Sequence, residues 1–182
     1  MRADLGYADY LGALQRLRLD LDQDPRVLEL SAFLLDYPFA ERLYPGALAA
    51  VKHCRAWGPT VILSDGDAVF QPHKLERSGI RAAVEGRMLI YVHKERMLDE
   101  VMRRYPARRY VMVDDKLRLL TAMKSALTDR LFTIFPRQGH YAHDATALRD
   151  LPPADLEVEH IADLTSLDLG PSRMLAPGPS RT

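Results

Sequence analysis

Three apolar stretches of the chain end in side chains that can do chemistry. "VILSDGD" ends in Ser64, with Asp65, Gly66 and Asp67 behind it; "RMLIYVHK" runs to Lys94; "RYVMVDD" ends in Asp114 and Asp115. Lys94 follows Ser64 by 30 residues, and Asp114 follows Lys94 by 20. A hydroxyl beside a glycine turn, with backbone N–H groups free to point forward, suits a phosphate oxygen. An amine reaching over the same strand ends would supply the countercharge. Two carboxylates next to a buried strand repel each other and cost desolvation unless they are neutralised. A hard divalent cation neutralises them, because Mg2+ takes a few carboxylate oxygens and keeps waters in the rest of its shell.

Each feature also has a plainer reading. Ser64 alone is an ordinary strand end. Lys94 is expected to open a helix, where a cation opposes the macrodipole and Glu95 softens the conflict. Asp115 could cap the following helix while Asp114 is solvated. Asp65 and Asp67 work against anion binding unless they point away or meet a metal. Taken together, a hydroxyl, an amine and an acid pair on successive strands favour a phosphate-plus-magnesium site.

Such residues need a scaffold that brings strand ends to one edge. From Pro59 on, strands and helices alternate: "TVILS", "RMLIYV", "RYVMVDD" and "RLFTIF" read as buried strands. The intervening helices are Pro72 to Ser78, the amphipathic "KERMLDEVMRRY" and "KLRLLTAMKSAL". "LEVEHIADL" adds a short edge strand. This alternation predicts an α/β fold with a doubly wound (Rossmann-like) parallel sheet, whose ligands bind at the carboxyl ends of the strands. Before it, "RADLGYADYLGALQRLRL" and Val27 to Leu35 read as helices, the second with Asp24 as cap and Pro25 in its first position. Gly6 and Gly12 weaken the first. Gly46 to Trp57 is a third helix. The expected organisation is a helical segment over 1–42, an α/β core over 43–168 and a disordered tail over 169–182.

The order of these pieces resembles the haloacid dehalogenase (HAD) superfamily. The matching stretches are "LYPGALAAVKHCRAWGPTVILSDGD", "YVHKERMLDEVMRRYP" and "RYVMVDDKLRLLTAMK", covering residues 43 to about 135. The resemblance implies a Mg2+-dependent phosphohydrolase of a small phosphorylated substrate. Ser64 would bind the phosphate together with Asp65 and Gly66, and Lys94 would hold the phosphate and the nucleophile. Asp114 with Asp115 would bind Mg2+, and the helical segment would be part of the cap that shapes the substrate pocket.

One family motif has no counterpart. Its first motif is D-x-D-x-(T or V) at the end of an early strand, with the first Asp as nucleophile and the second as general acid–base. Asp4, Asp9, Asp20, Asp22 and Asp24 all lie in helical or loop contexts. Asp65 to Val69 fits the letters, but then no Ser or Thr ends a strand between Asp67 and Lys94. The expectation is a core missing its first strand, which leaves a gap or a rearranged edge in the sheet. The chain as given would then be truncated, with little or no turnover. The alternative is a non-catalytic HAD-like protein that binds a phosphorylated ligand or partner. A phosphoacceptor receiver domain is disfavoured because its acid pair comes first in the chain.

Other features carry less. Lys plus Arg equals Asp plus Glu at 25 each, so no net field points to nucleic acid or anionic membranes. The arginines of "RRYPARRY" lie partly in a helix's last turn, where cations are favoured anyway. His140, His143 and Asp144 have metal-like spacing but lack a third convincing ligand, and their loop could overhang the pocket. Cys54 is the single cysteine, which excludes an internal disulfide and fits a packing role. No apolar run approaches membrane-spanning length, and a reducing cytoplasmic setting is expected. Exposed strand edges make self-association an expectation.

Overall fold

The computed structural model describes residues 9–21 and 24–170. The tail expected over 169–182 therefore lies, from residue 171 on, outside the described residues. All strand pairs are parallel, but the ladders form two sheets and not one. One pairs β1 (Ile62–Asp65) with β2 (Met88–Tyr91). The other has the order β3 (Tyr110–Val113), β4 (Leu131–Pro136), β5 (Leu156–Val158). Among the described residues β1 pairs with β2 alone and β3 with β4 alone.

The chain correspondingly forms two compact units, Met1–Leu43 with Val61–Lys94, and Tyr44–Thr60 with Glu95–Thr182. This differs from the organisation expected from sequence. The helical segment shares a unit with β1 and β2, while the lead-in helix belongs to the unit of β3, β4 and β5. Packing gives the reason in both cases.

In the first unit, α1 (Tyr10–Asp20) is capped by Asp9, which accepts the Gly12 N–H at 2.8 Å. A Cβ on Gly12 would lie 1.9 Å from the Asp9 carboxylate, so the glycine that weakens the helix pattern is what lets the cap close. In α2 (Arg26–Asp36) Asp24 accepts the Arg26 N–H, and the Arg26 guanidinium lowers the Asp24 carboxyl to about 2. The start of α1 and the 3₁₀ turn Phe39–Arg42 that follows α2 meet rings of α4 (Phe70–Arg77): Tyr10 lies 5.5 Å from Phe70, and Phe39 lies 6.0 Å from Phe70 and 6.2 Å from His73. His73 Nε2 sits 2.7 Å from the Leu35 carbonyl. The groove beside these contacts, about 380 Å³, is lined by Leu11, Leu35, Val69 and Phe70 among others. A short α5 (Ile80–Ala83) follows a turn at Gly79, whose φ of +79° suits glycine.

In the second unit β4 is the most buried strand, and its alternating side chains serve both faces of the sheet. Ile134 packs with Ala50 of α3 (Ala47–Cys54) and Leu164 of the 3₁₀ turn Ile161–Ser166. Phe135 packs with Leu117 and Leu120 of α7 (Leu117–Leu127). The lead-in helix thus covers one face of this sheet, which is why it belongs here. Asp155 ties the layers together, accepting from Lys124 Nζ at 2.8 Å, Thr133 N at 2.8 Å and Thr133 Oγ1 at 2.9 Å. Among the described residues no helix is long and apolar enough to cross a membrane.

Candidate functional site

Ser64 lies next to last in β1, at its carboxyl end. Its Oγ accepts a hydrogen bond from Gln71 Nε2 at 2.8 Å and donates to the Asp65 carbonyl at 3.2 Å. Lys94 is brought to it by two contacts. The Lys94 backbone N–H donates to Asp65 Oδ1 at 2.8 Å, and its Nζ lies 3.4 Å from the Leu63 carbonyl. Lys94 is thereby held to the residues on either side of Ser64. The side chain is only 7% exposed, so its charge is kept where solvent screens it little.

Lys94 lies in a single 3₁₀ turn, Lys94–Arg96, and does not open the helix as the sequence suggests. The helix proper, α6 (Leu98–Arg104), begins later with Asp99 and Glu100 in its first turn, the favourable sign for its dipole. The expected conflict between Lys94 and a macrodipole therefore does not arise.

The residues around Ser64 have structural duties. Asp65 anchors Lys94, as above. The Gly66 N–H donates to the Tyr91 carbonyl at 2.9 Å, extending the β1–β2 ladder, so it does not face forward as an anion donor. Asp67 Oδ1 accepts from Val69 N at 2.9 Å and Phe70 N at 2.6 Å, which starts α4. Both carboxylates are thus turned to backbone N–H groups. Gln71, in the first turn of α4, is the residue that sequence reasoning passed over. No motif spacing marks it, because its place beside Ser64 depends on how tightly the turn at Gly66 closes.

The acid pair belongs to the second unit. The Asp114 N–H continues the β3–β4 ladder to the Ile134 carbonyl, and Asp114 Oδ1 accepts from Lys116 N at 2.9 Å. It is Asp114, not Asp115, that shapes the turn into α7. Asp115 faces the loop after β4: a Cβ on Gly139, whose φ is +93°, would come within 2.8 Å of Asp115 Oδ2. The Lys116 amine sits 4.7 Å over the Tyr141 ring. The loop after β4 therefore overhangs the acid turn.

His140 packs edge-on to Tyr141 at 5.3 Å, and Asp144 caps α8 (Ala145–Leu148) by accepting from Thr146 N and Ala147 N. Among the described residues no group of three His, Cys, Asp or Glu is placed to hold a metal. The acid pair offers two carboxylates, a donor set that fits Mg2+, which uses one or two carboxylates plus waters and substrate phosphates.

"RRYPARRY" is accounted for by structure. Arg103 and Arg104 both donate to Glu100, and their guanidinium groups lower its carboxyl to about 2. The Tyr110 hydroxyl accepts from Ala107 N and donates to the Tyr105 carbonyl. Burial raises the Cys54 thiol to about 11, which leaves it protonated and unreactive at neutral pH.

No family model and no curated protein matches the chain. Among solved structures, the chain is similar to a protein from Burkholderia xenovorans LB400 assigned as a haloacid dehalogenase-like hydrolase. The two share 65% identity and a TM-score of 0.85, over 92% of this chain and 78% of the other.

Proposed function

The chain belongs to the haloacid dehalogenase-like hydrolases, and on that premise we propose a Mg2+-dependent phosphohydrolase of a small phosphorylated molecule. The observation that carries this reading is the hold on Lys94 from both sides of Ser64. A hydroxyl and a buried amine at one strand end offer a donor and a countercharge to the same anionic oxygens. In this reading Ser64 and Lys94 bind the phosphoryl group, while Asp65 and Gly66 form the turn that fixes them. Asp114 with Asp115 would hold Mg2+, whose charge the two carboxylates would balance.

The nucleophile is the unmatched part. Asp65 holds the Lys94 backbone and Asp67 accepts from Val69 N and Phe70 N in the turn before α4, which argues against their serving as nucleophile and acid. We therefore propose that the 182-residue chain by itself binds phosphate with little or no turnover. The same engaged carboxylates favour the second reading, a non-catalytic HAD-like protein that binds a phosphorylated ligand. Self-association through open strand edges is part of the proposal and is read by sedimentation velocity.

The test is calorimetric titration of the purified chain with inorganic orthophosphate, with and without Mg2+, beside hydrolysis of an aryl phosphate. Binding that weakens in Ser64→Ala and Lys94→Ala, without appreciable turnover, is the expected result. Brisk Mg2+-dependent hydrolysis abolished by Asp65→Asn would instead make Asp65 the nucleophile. Failure of orthophosphate to bind would remove the phosphate reading altogether.

A further inference from the structure

A serine hydroxyl has one proton to donate and two lone pairs with which to accept. At Ser64 one lone pair is taken by Gln71 Nε2 at 2.8 Å. The Gln71 side chain is folded down onto the turn. A Cβ on Gly66 would lie 2.8 Å from Gln71 Cβ and 2.9 Å from its Cγ, so only glycine leaves it this room. Asp67 holds the first turn of α4 in place through Val69 N and Phe70 N, and Gln71 follows directly. With an amide donor on one side, the Ser64 proton has to point elsewhere. Its acceptor is the Asp65 carbonyl at 3.2 Å, long for O–H···O, where about 2.7–2.8 Å is usual. A hydroxyl in so weak a hydrogen bond turns readily to donate to a better acceptor, and an anionic oxygen is one.

We propose that Gln71 is a positioning residue: by donating to Ser64 Oγ it commits the serine to act as a donor toward a bound phosphoryl oxygen. The inference rests on the reading of Ser64 as a phosphate ligand and adds what sets the direction of its hydroxyl. Gln71 acts through Ser64 and is assigned no step of the chemistry.

The experiment measures orthophosphate affinity of the full chain by calorimetry in Ser64→Ala, Gln71→Leu, Gln71→Glu and the double variant Ser64→Ala/Gln71→Glu. Thermal melts establish that each variant is folded, and Gln71→Leu carries the test if Gln71→Glu does not fold. In Gln71→Glu at about pH 7.5 the introduced carboxylate accepts a hydrogen bond from the Ser64 hydroxyl and so turns it away from the ligand, and affinity should fall about 10-fold or more. Near pH 4.5, about where a glutamic acid begins to protonate, the introduced carboxyl regains a proton to donate, and the gap from the unsubstituted protein should narrow. Gln71→Leu should lose about 3-fold with no such pH dependence. In the Ser64→Ala background, Gln71→Glu should cost only the added charge and so less than in the unsubstituted protein.

Equal losses in both backgrounds, or Gln71→Glu and Gln71→Leu proteins that bind as tightly as the unsubstituted one while Ser64→Ala weakens binding, would overturn the role of Gln71. The reading of Ser64 would survive that result. If orthophosphate does not bind the unsubstituted chain, or Ser64→Ala binds it unchanged, the reading of Ser64 fails and the inference with it.

Discussion

Asp65 places the Lys94 backbone through one carboxylate oxygen, and Gly139 leaves the space that Asp115 occupies. Asp65→Ala removes an acceptor from a half-buried N–H and should cost about 1 kcal/mol in urea unfolding, while weakening orthophosphate binding. Asp65→Asn keeps a carbonyl at the same reach and should restore most of both. Equal damage from the two variants would show that charge, and not the hydrogen bond, matters at this position. Gly139→Ala combines a φ of +93° with a Cβ 2.8 Å from Asp115 Oδ2, so the loop or the carboxylate has to shift. Mg2+ affinity, measured by titration, should fall in this variant while orthophosphate binding without Mg2+ is unchanged. Ser64, Lys94 and the acid pair are legible from spacing because each lies at or shortly after the carboxyl end of a strand. Gln71 is not, since its partner lies across a turn and nothing in its neighbours' types announces the contact.

At the scale of elements, most helices and strands follow from periodicity and breakers. The exceptions have local causes: Gly12 sits inside a helix because the Asp9 carboxylate needs its space, and Lys94 falls in a 3₁₀ turn because Asp65 captures its N–H. The link between β4, β5 and α7 through Asp155 is another contact invisible to pattern. Asp155→Ala leaves Lys124 and the buried Thr133 N–H and hydroxyl short of an acceptor, and should destabilise the protein by about 2–3 kcal/mol. Burial raises the Asp155 carboxyl, but the hydrogen bonds from Lys124 and Thr133 outweigh it, so the net shift is downward from 3.8. A carboxylate lowered in the folded state contributes stability above its ordinary range and loses it as pH falls through the folded value. The stability difference between the unsubstituted protein and Asp155→Asn should therefore hold at neutral pH and shrink below about pH 4. A difference that is flat down to pH 3 would mean the carboxylate's charge contributes nothing.

At the scale of the molecule, the parallel pairing of the strands is legible from their alternation with helices, whereas the division into two ladders and the boundaries of the two units are not. The chain passes from one unit to the other after Leu43, Thr60 and Lys94, in connections with no shift of composition, and the lead-in helix joins its unit through contacts distant in sequence, Ala50 against Ile134 and Leu164 and His53 Nε2 at 2.7 Å from the Leu167 carbonyl. The proposed ligands then fall to different units, phosphate to the one with Ser64 and Lys94, Mg2+ to the one with Asp114 and Asp115. A ligand stabilises what it binds by about 2.7 kcal/mol at 100 times its Kd. Trp57, the single tryptophan, packs in the second unit with His53 at 5.7 Å, so its fluorescence reports there, while circular dichroism reports both. Units with separate sheets need not melt together, and non-coincident curves would reveal it. Mg2+ alone should then shift the Trp57 transition, and orthophosphate alone should shift the part of the circular dichroism curve that Trp57 does not follow. If Mg2+ leaves the Trp57 transition where it was, the assignment of the cation to Asp114 and Asp115 fails, whatever phosphate does at Ser64.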